Sequence, residues 1–288
     1  MTTLVREANE FYQRCNHQRI EGKSIAFVPT MGALHHGHLE LVRLAKEQAD
    51  ICVVSIFVNP TQFGPKEDLA LYPRTLDKDL ERCTNAGVDT VFAPTVQSMY
   101  PQGYQTTVSV PKLATVLEGQ FRPGHFDGVC TVVLKLFNLC GPCTAVFGRK
   151  DYQQFKIIER MVQDLNLPVS LIAAPIVRDR RGLALSSRNA YLDEKAYKRA
   201  CAIPQALLET AKAFAVGQKD PQKALAQAKV ILQENMDKID YFGMFDPENM
   251  TELSGSAFKG AVVAFAGYLG QTRLIDNMVL GETLWTCT

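Results

Sequence analysis

Short apolar runs alternate with amphipathic segments through the first half of the chain. Five runs rich in Val, Ile, Phe and Ala have the length of buried strands, at 25–28, 51–58, 90–93, 144–147 and 169–173. The flanking segments repeat apolar residues at helical spacing, which predicts helices over 2–18, 38–49, 75–86, 129–139 and 151–164. Continuous apolar strands separated by helices are typical of a parallel sheet covered on both faces. The pattern predicts an α/β fold with a doubly wound parallel sheet in a domain spanning residues 1–176.

The pattern changes after about residue 177. Two helical stretches come first, at 193–215 and 220–236, and short strand candidates follow at 241–245, 261–266 and 272–275. Helices followed by consecutive strands predict a smaller α+β domain, here residues 177–288. Its strands carry no catalytic pattern, and the stretch from Gly281 to Thr288 is expected to be a loose tail.

Composition and charge narrow the function classes. The 288 residues are 47% hydrophobic and 21% charged, as in globular proteins. The net charge of +1 does not indicate a strongly basic surface of the kind that binds nucleic acid or an acidic membrane. The first residues lack the apolar core of a signal peptide, and no run has the length of a transmembrane helix. We therefore expect a cytoplasmic protein whose eight cysteines are reduced.

The most distinctive motif, His35-His36-Gly37-His38, lies where the first apolar run turns into a helix. A helix N-terminus presents backbone N–H groups and a partial positive charge, which suits phosphate. Gly37 allows a close approach of the backbone, and two imidazoles can donate hydrogen bonds to charge that develops on a reacting phosphate. The alternatives are solvated loop histidines or a zinc site, although no further Cys/His spacing completes a zinc set.

Two later segments carry cations and hydroxyls that could hold phosphate. In the segment 148–154, Lys150 suits a phosphate or carboxylate, Asp151 a helix cap or a ribose hydroxyl, and Gln154 lies one turn further on. Ser186-Ser187-Arg188 can grip a triphosphate from several directions. The alternative interpretation is a capped helix start with a solvated lysine, followed by a serine N-cap.

Cys140-Gly141-Pro142-Cys143 has the spacing of a thioredoxin-type redox motif. In such motifs the first cysteine begins a helix, which lowers the pKa of its thiol. Here the motif follows one predicted helix and precedes a predicted strand, so Gly and Pro indicate a helix stop and a turn. A redox role stays open, and the activity of a Cys140→Ser variant would test it.

The motifs occur in an order that is more specific than any one of them. A strand–HxGH–helix unit resembles the class I nucleotidylyl transferases. The segments 57–64, 72–75, 122–129, 147–154 and 186–189 follow it in that order. Together they resemble the pantoate–β-alanine ligase family, from about residue 2 to about residue 280.

The resemblance implies a Rossmann-type domain with a smaller C-terminal α+β lid, usually paired as a homodimer. It implies ATP-dependent ligation of (R)-pantoate and β-alanine to pantothenate through a pantoyl adenylate, with release of AMP and pyrophosphate. Mg²⁺ would accompany ATP. The partners would be these small molecules, with no nucleic acid and no membrane.

The resemblance also implies the site residues. ATP binding would fall to Met31, Gly32, Ala33, Leu34, His35, His36, Gly37, His38, Gly148, Arg149, Lys150, Asp151, Val177, Leu185, Ser186, Ser187 and Arg188. Catalysis would fall to His35, His38, Lys150 and Arg188. Pantoate and β-alanine would contact Gln62, Gln154 and Asn59.

Two positions depart from this scheme or remain outside it. Arg149 stands where the family more often has Glu or Gln, while its neighbours Gly148, Lys150 and Asp151 match. The Mg²⁺ ligands are unknown, and Asp79 is one possible nearby carboxylate.

Rival interpretations also remain open. They are a transferase of the same superfamily that acts on a phosphorylated substrate, an aminoacyl-tRNA synthetase, and a non-catalytic nucleotide-binding protein. The pair Gln62 and Gln154, without a cluster of extra cations, favours an uncharged polyol acid with one carboxylate.

Overall fold

A parallel sheet organises the first part of the chain. The structure is a computed structural model that describes residues 2–65 and 67–282. Its strands are β1 (Thr3–Val5), β2 (Ile25–Thr30), β3 (Ile51–Ile56), β4 (Thr90–Phe92), β5 (Cys143–Gly148) and β6 (Val169–Ala174). They lie in the order β1-β4-β3-β2-β5-β6, and neighbours run parallel. The predicted α/β fold with a doubly wound sheet is confirmed.

The strand order reverses at β2, which has β3 on one side and β5 on the other. The chain leaves β2 for β3 and β4, then returns to the opposite side as β5. In open parallel sheets such a reversal leaves a crevice beyond the carboxyl ends of the strands, where ligands bind. The segments that follow β2, β3 and β5 therefore meet at one edge of the sheet.

Helices connect these strands. The helices are α1 (Ala8–Ile20), α2 (His36–Lys46), α3 (Leu76–Asn85), α4 (Val96–Met99), α5 (Pro111–Ala114), α6 (Glu118–Phe121), α7 (His125–Cys140) and α8 (Tyr152–Asp164). Two short 3-10 turns, Pro60–Gln62 and Arg149–Asp151, follow β3 and β5. The sheet core includes the fully buried Val28, Val54 and Val146, one from each of the three central strands.

Several predicted bounds differ from the structure, and three of these differences have a clear physical cause. Residues 3–5 form β1 instead of the start of a helix, because they pair with Thr90–Phe92 at the sheet edge. Helix α7 begins at His125, four residues before its predicted start, with Gly124 in a left-handed conformation ahead of it. The predicted helix 193–215 is divided at Cys201. The division puts Pro204 in the first turn of a new helix, where its missing N–H costs no hydrogen bond.

The later part of the chain forms a small α+β arrangement. Its helices are α9 (Glu194–Ala200), α10 (Ala202–Ala215) and α11 (Pro221–Asn235), and its strands are β7 (Lys238–Phe245), β8 (Val262–Leu269) and β9 (Thr272–Val279). The three strands form an antiparallel sheet in the order β7-β8-β9. Leu207 and Leu225 from two helices and Met244 from β7 are buried in one cluster. The predicted smaller α+β part is confirmed, although β9 extends four residues beyond its predicted end.

The chain divides into two compact units that are not continuous in sequence. The first unit contains the chain up to Thr115, Arg122–Arg149 and Gln154–Pro175. The second contains Val116–Phe121, Lys150–Gln153 and the chain from Ile176 onward. The boundary predicted between 176 and 177 did not anticipate the two short segments. The expected tail at 281–288 lies outside the described residues from 283 onward. In the described part of the chain, no helix is both long and apolar enough to cross a membrane.

Candidate active site

The turn from β2 to α2 has a backbone that only a few residues adopt easily. Gly32 has φ +82°, and Ala33 has φ +49°. The side chain of Asp79, from α3, accepts hydrogen bonds from the backbone N–H groups of Ala33 (2.9 Å) and Leu34 (2.8 Å). A Cβ atom at Gly32 would lie 3.2 Å from Asp79 Oδ2 and 3.0 Å from Ile56 Cγ2. Both the positive φ and the close approach of Ile56 and Asp79 favour glycine at position 32.

Asp79 is fully buried and its carboxylate is engaged within this turn. Besides the two N–H groups, it accepts the hydroxyl of Thr75 at 3.1 Å, and Arg82 Nη1 lies 3.8 Å from its Oδ1. Arg82 also donates to the backbone carbonyl of Leu34. These bonds make Asp79 a residue that holds the turn leading into the two histidines.

His35 and His38 close the first turn of α2 through their Nδ1 atoms. His35 is the N-cap, and its Nδ1 accepts the backbone N–H of Gly37 at 3.1 Å. His38 Nδ1 accepts the backbone N–H of His35 at 3.2 Å. A neutral imidazole whose Nδ1 accepts a hydrogen bond carries its proton on Nε2. The capping geometry therefore fixes both rings in the tautomer whose Nε2–H is a donor.

The two rings lie side by side at a helix N-terminus, with centroids 4.1 Å apart. Their Nε2–H groups, the backbone N–H groups of the first turn and the helix dipole all favour negative charge. His36, the first residue of α2, is exposed. The arrangement can stabilise an anion that gains charge during a reaction.

Asn59 and Gln62 follow β3 and are buried. Asn59 Nδ2 donates to Gln62 Oε1 and to the Gly128 carbonyl, both at 3.1 Å, and its Oδ1 accepts the hydroxyl of Tyr100 at 2.9 Å. Asn59 thus orients the amide of Gln62, whose Nε2 lies 3.0 Å from Met31 Sδ. A thioether is a weak acceptor, so a ligand oxygen could replace it at this N–H group.

Helix α7 packs against the segment that carries Asn59 and Gln62. A Cβ atom at Gly128 would lie 2.5 Å from the carbonyl oxygen of Thr61, so only glycine lets the helix approach so closely. His125 Nδ1 lies 2.8 Å from the Gln62 carbonyl, and its Nε2 lies 3.1 Å from Arg122 Nη1. Because carbonyls accept and guanidinium groups donate, His125 carries its proton on Nδ1. This histidine, part of the motif 122–129, fixes the main chain of Gln62.

The segment after β5 contributes residues to both units. Gly148 and Arg149 belong to the first unit, as does Gln154, which is half-buried on the first turn of α8. Lys150, which is half-buried, and Asp151, which is exposed, belong to the second unit. The predicted residues 31–38, Asn59, Gln62 and Gln154 therefore all belong to the first unit.

Within the second unit, a small hairpin carries the other predicted ATP residues. Leu185 N donates to the Val177 carbonyl at 2.9 Å, so these two residues are direct neighbours. Ser186 then caps a 3-10 turn, Ser187–Tyr191, by accepting the backbone N–H of Arg188 at 3.3 Å. The serine N-cap foreseen as an alternative is present, and it places Ser187 and Arg188 at the start of the turn.

A buried ion pair fixes the base of this hairpin to β9. Arg178 donates to both carboxylate oxygens of Asp276, at 2.6 and 2.9 Å, and to the Gly182 carbonyl at 3.0 Å. The side chains of Arg178 and Asp276 are 7% and 1% exposed. Sequence reasoning missed both residues, because neither belongs to a recognisable motif.

The cysteines of the Cys140–Cys143 segment lie in a structural turn. α7 ends at Cys140, Gly141 has φ +73°, and β5 begins at Cys143. The positive φ of Gly141 is a backbone conformation that glycine adopts more easily than other residues. Hydrogen bonds with Cys143 and Cys15, together with burial, raise the pKa of the Cys140 thiol. A raised pKa is the opposite of what a redox-active first cysteine has.

The described residues, 2–65 and 67–282, contain no preformed cluster of metal ligands. No group of three or more His, Cys, Asp or Glu side chains in these ranges could hold a metal ion. Mg²⁺ in nucleotide sites is held largely by phosphate oxygens and water, with one or two carboxylates. The described residues therefore do not form a dedicated protein cage for Mg²⁺.

A comparison with protein families decides which of the rival interpretations applies. The family model described as Pantoate-beta-alanine ligase matches residues 3–279. The chain belongs to this family. The pantoate–β-alanine ligase relatives include the pantothenate synthetase of Aquifex aeolicus, 47% identical over 279 residues, which are 96% of this chain and 98% of that protein. That of Thermosipho africanus is 49% identical over 258 residues, 90% of this chain and 92% of that protein.

Solved structures of pantoate–β-alanine ligases have the same fold. The pantothenate synthetase of Thermus thermophilus matches with a TM-score of 0.92 and 42% identity, over 97% of this chain and 99% of that one. The ligase of Francisella tularensis, complexed with beta-gamma ATP and beta-alanine, matches with a TM-score of 0.80 and 33% identity, over 97% and 98%. The chain is thus an enzyme, a pantoate–β-alanine ligase, as the motif order predicted.

Proposed function

We propose that this ligase works in two steps on the residues described above. A pantoate carboxylate oxygen attacks the α-phosphorus of ATP, and pyrophosphate leaves with the electrons of the broken P–O bond. The amine of β-alanine then attacks the carbonyl carbon of the pantoyl adenylate and expels AMP, while the ammonium proton passes to solvent. The observation that carries this proposal is the pair of tautomer-fixed imidazoles at the N-terminus of α2.

His35 and His38 would serve the first step. The α-phosphate gains negative charge as the carboxylate approaches, and the two Nε2–H groups can donate to its oxygens or to the departing pyrophosphate. Donors fixed in advance stabilise such charge without the cost of reorganisation, and losing one typically costs about 10²–10³ in rate. Their capping bonds to the backbone keep these donors in place before the substrates bind.

Gln62 and Gln154 would hold pantoate. The oriented amide of Gln62 can exchange its weak contact with Met31 Sδ for a hydroxyl or carboxylate oxygen of the substrate. Asn59 would act mainly by holding Gln62, since its own amide bonds to Gln62 Oε1, the Gly128 carbonyl and Tyr100. This is a narrower role than the substrate contact considered from the sequence.

Lys150 and Arg188 would offset the repulsion between two anionic substrates. A carboxylate and a triphosphate approach each other in the first step, and cations at the site favour that encounter. Ser186 and Ser187 would add hydroxyl donors to the phosphates, and Val177 and Leu185 would contact the adenine side. Gly148, Arg149 and Asp151 would complete the nucleotide contacts.

Mg²⁺ would enter with ATP, on its phosphate oxygens, where it would neutralise charge on the leaving pyrophosphate. No protein ligand is assigned to it, because Asp79 is committed to the turn before α2. We also propose that the protein is a homodimer and that it works in the cytoplasm, as the sequence resemblance and the absence of a signal-peptide pattern led us to expect. Light scattering of the purified protein would test the dimer.

AMP release tests the reaction directly. Purified protein with Mg-ATP, pantoate and β-alanine is expected to release AMP only when all three substrates are present. Pyrophosphate release with β-alanine omitted would report the first step alone. Folded protein that binds ATP but releases neither product would contradict the proposed reaction.

Single substitutions test the assigned roles. His38→Ala and Lys150→Ala are each expected to lower the rate of pyrophosphate release by about 10²–10³ while the protein stays folded. Lys219→Ala, in the second unit, removes a lysine whose ammonium faces the Phe214 ring and serves as the matched control. Turnover near that of the control in either variant would overturn the role given to that residue.

A further inference from the structure

The segment Lys150–Gln153 follows β5 and includes the first two residues of α8, yet it belongs to the second unit. A segment of four residues without a core of its own needs specific bonds to hold it. Buried polar side chains supply such bonds at both of its ends, and both sets of bonds lead to β9.

The first end is held by Asn277. Its Nδ2 donates to the Lys150 carbonyl at 2.7 Å, and the residue is only 3% exposed. The backbone of Asn277 is itself fixed, because its N–H donates to Asp276 Oδ1 at 2.8 Å and its carbonyl accepts from Arg178 Nη2 at 3.2 Å. The buried pair of Arg178 and Asp276 thus fixes the residue that fixes Lys150.

The second end is held by Gln153, which is also buried. Its Oε1 accepts the backbone N–H of Glu118 at 3.0 Å, and its Nε2 donates to the Val116 carbonyl at 2.8 Å. The Glu118 carboxylate accepts from both terminal nitrogens of Arg273, a residue of β9. Arg273 Nε also donates to Asp240 Oδ2 at 2.9 Å, which fixes the guanidinium.

We propose that Asn277 is a positioning residue for Lys150. Arg273 and Asn277 lie on the same face of β9, four residues or about 13 Å apart, so one rigid strand anchors both ends of the segment. A lysine side chain has four flexible carbons, and the location of its ammonium depends on where its main chain starts. The bond to the Lys150 carbonyl fixes that start and leaves the ammonium to the substrates.

The inference rests on the proposed function of Lys150. A double-mutant cycle tests the positioning role of Asn277 separately from the role of Lys150. The variants are Asn277→Ala, Lys150→Ala and both together. Asn235→Ala is the matched control, since Asn235 Nδ2 makes the same kind of bond to the Ile231 carbonyl within α11 of the second unit. Asn277→Asp keeps the shape of the side chain but has no N–H group to donate. It replaces Asn277→Ala in the experiment if the alanine variant does not fold. Pyrophosphate release is measured with varied ATP, alongside thermal melting.

Asn277→Ala and Asn277→Asp are expected to lower kcat by roughly 10–100-fold with little change in KM for ATP, because a small displacement of a catalytic group acts in the transition state. In the Lys150→Ala background, Asn277→Ala is expected to cost less than about twofold, since the group that it positions is then absent. Full additivity of the two changes, or a kcat equal to that of Asn235→Ala, would overturn the inference. A Lys150→Ala enzyme with unchanged kcat would instead overturn the proposed role of Lys150.

Discussion

Replacing Asp79 with asparagine would change one buried atom at the turn before α2. Two backbone N–H groups, of Ala33 and Leu34, point at the two carboxylate oxygens at 2.9 and 2.8 Å. An asparagine of the same shape has one oxygen and one NH₂ group, so one N–H must face another donor whichever way the amide is turned. The variant therefore breaks one of the two bonds without creating a cavity.

The expected magnitude follows from the chemistry of that bond. A hydrogen bond to a charged group is worth about 1.5–3 kcal/mol, and an unsatisfied buried donor costs about 1–3 kcal/mol. Both ranges include part of the cost of the same lost hydrogen bond, so they are not added together. We therefore expect a loss of about 3 kcal/mol in the free energy of unfolding. A turn that shifts to relieve the N–H contact carries His35 with it, and a displacement near 1 Å costs roughly 10²-fold in rate.

Thermal melting and AMP release measure these two effects. Asp77→Asn is the matched control, because Asp77 is exposed in the same first turn of α3 and its substitution removes the same charge. Varying the Mg²⁺ concentration adds a third test. If Asp79 holds the turn, Asp79→Asn should lower kcat and leave the half-saturating Mg²⁺ concentration unaltered. The reasoning would be refuted if Asp79→Asn melted and turned over like Asp77→Asn.

Three further outcomes are expected. His35→Asn, which keeps an N-cap acceptor but loses the Nε2 donor, should retain its melting temperature and lose about 10²-fold in pyrophosphate release; a lowered melting temperature with normal rate would reverse the assignment. Burial raises the pKa of Glu67, but the hydrogen bond and charge of Arg122 outweigh it and hold that pKa below its ordinary 4.5. The ion pair therefore stabilises the folded state above that pH, so the melting-temperature difference between wild type and Glu67→Gln should shrink as the pH falls below about 4.5. Cys140→Ser should keep its ligase rate, and a lost rate in a folded variant would restore a role for the thiol.

The sequence predicted the parts of the fold that rest on apolar pattern. Central strands such as Ile25–Thr30 and Ile51–Ile56 are buried on both faces, so their sequences are continuous apolar runs. The strand Thr3–Val5 escaped detection because three residues carry no period, and its pairing with Thr90–Phe92 is a long-range contact. Strand β9 was predicted to stop at 275, because Asp276 and Asn277 interrupt its apolar pattern.

The sequence predicted those residues of the candidate site that belong to a short sequence motif. His35 and His38 belong to a short motif that follows a strand and opens a helix, and Lys150 follows a strand in a recognisable segment. The residues that hold this machinery gave no such signal. Asp79 and Asn277 lie 44 and 127 positions from His35 and Lys150, and only the folded chain shows what they touch.

The supporting residues share one physical feature, which is that they bond to the main chain of the site residues. Asp79 accepts from the N–H groups of Ala33 and Leu34, His125 bonds to the carbonyl of Gln62, and Asn277 bonds to that of Lys150. A bond to the main chain fixes where a side chain begins without engaging its reactive end. The ammonium of Lys150 and the amide of Gln62 can therefore adjust to substrates as they arrive while their main chains stay fixed. Substitution of a supporting residue should accordingly lower the rate of a site whose reacting groups are all still present.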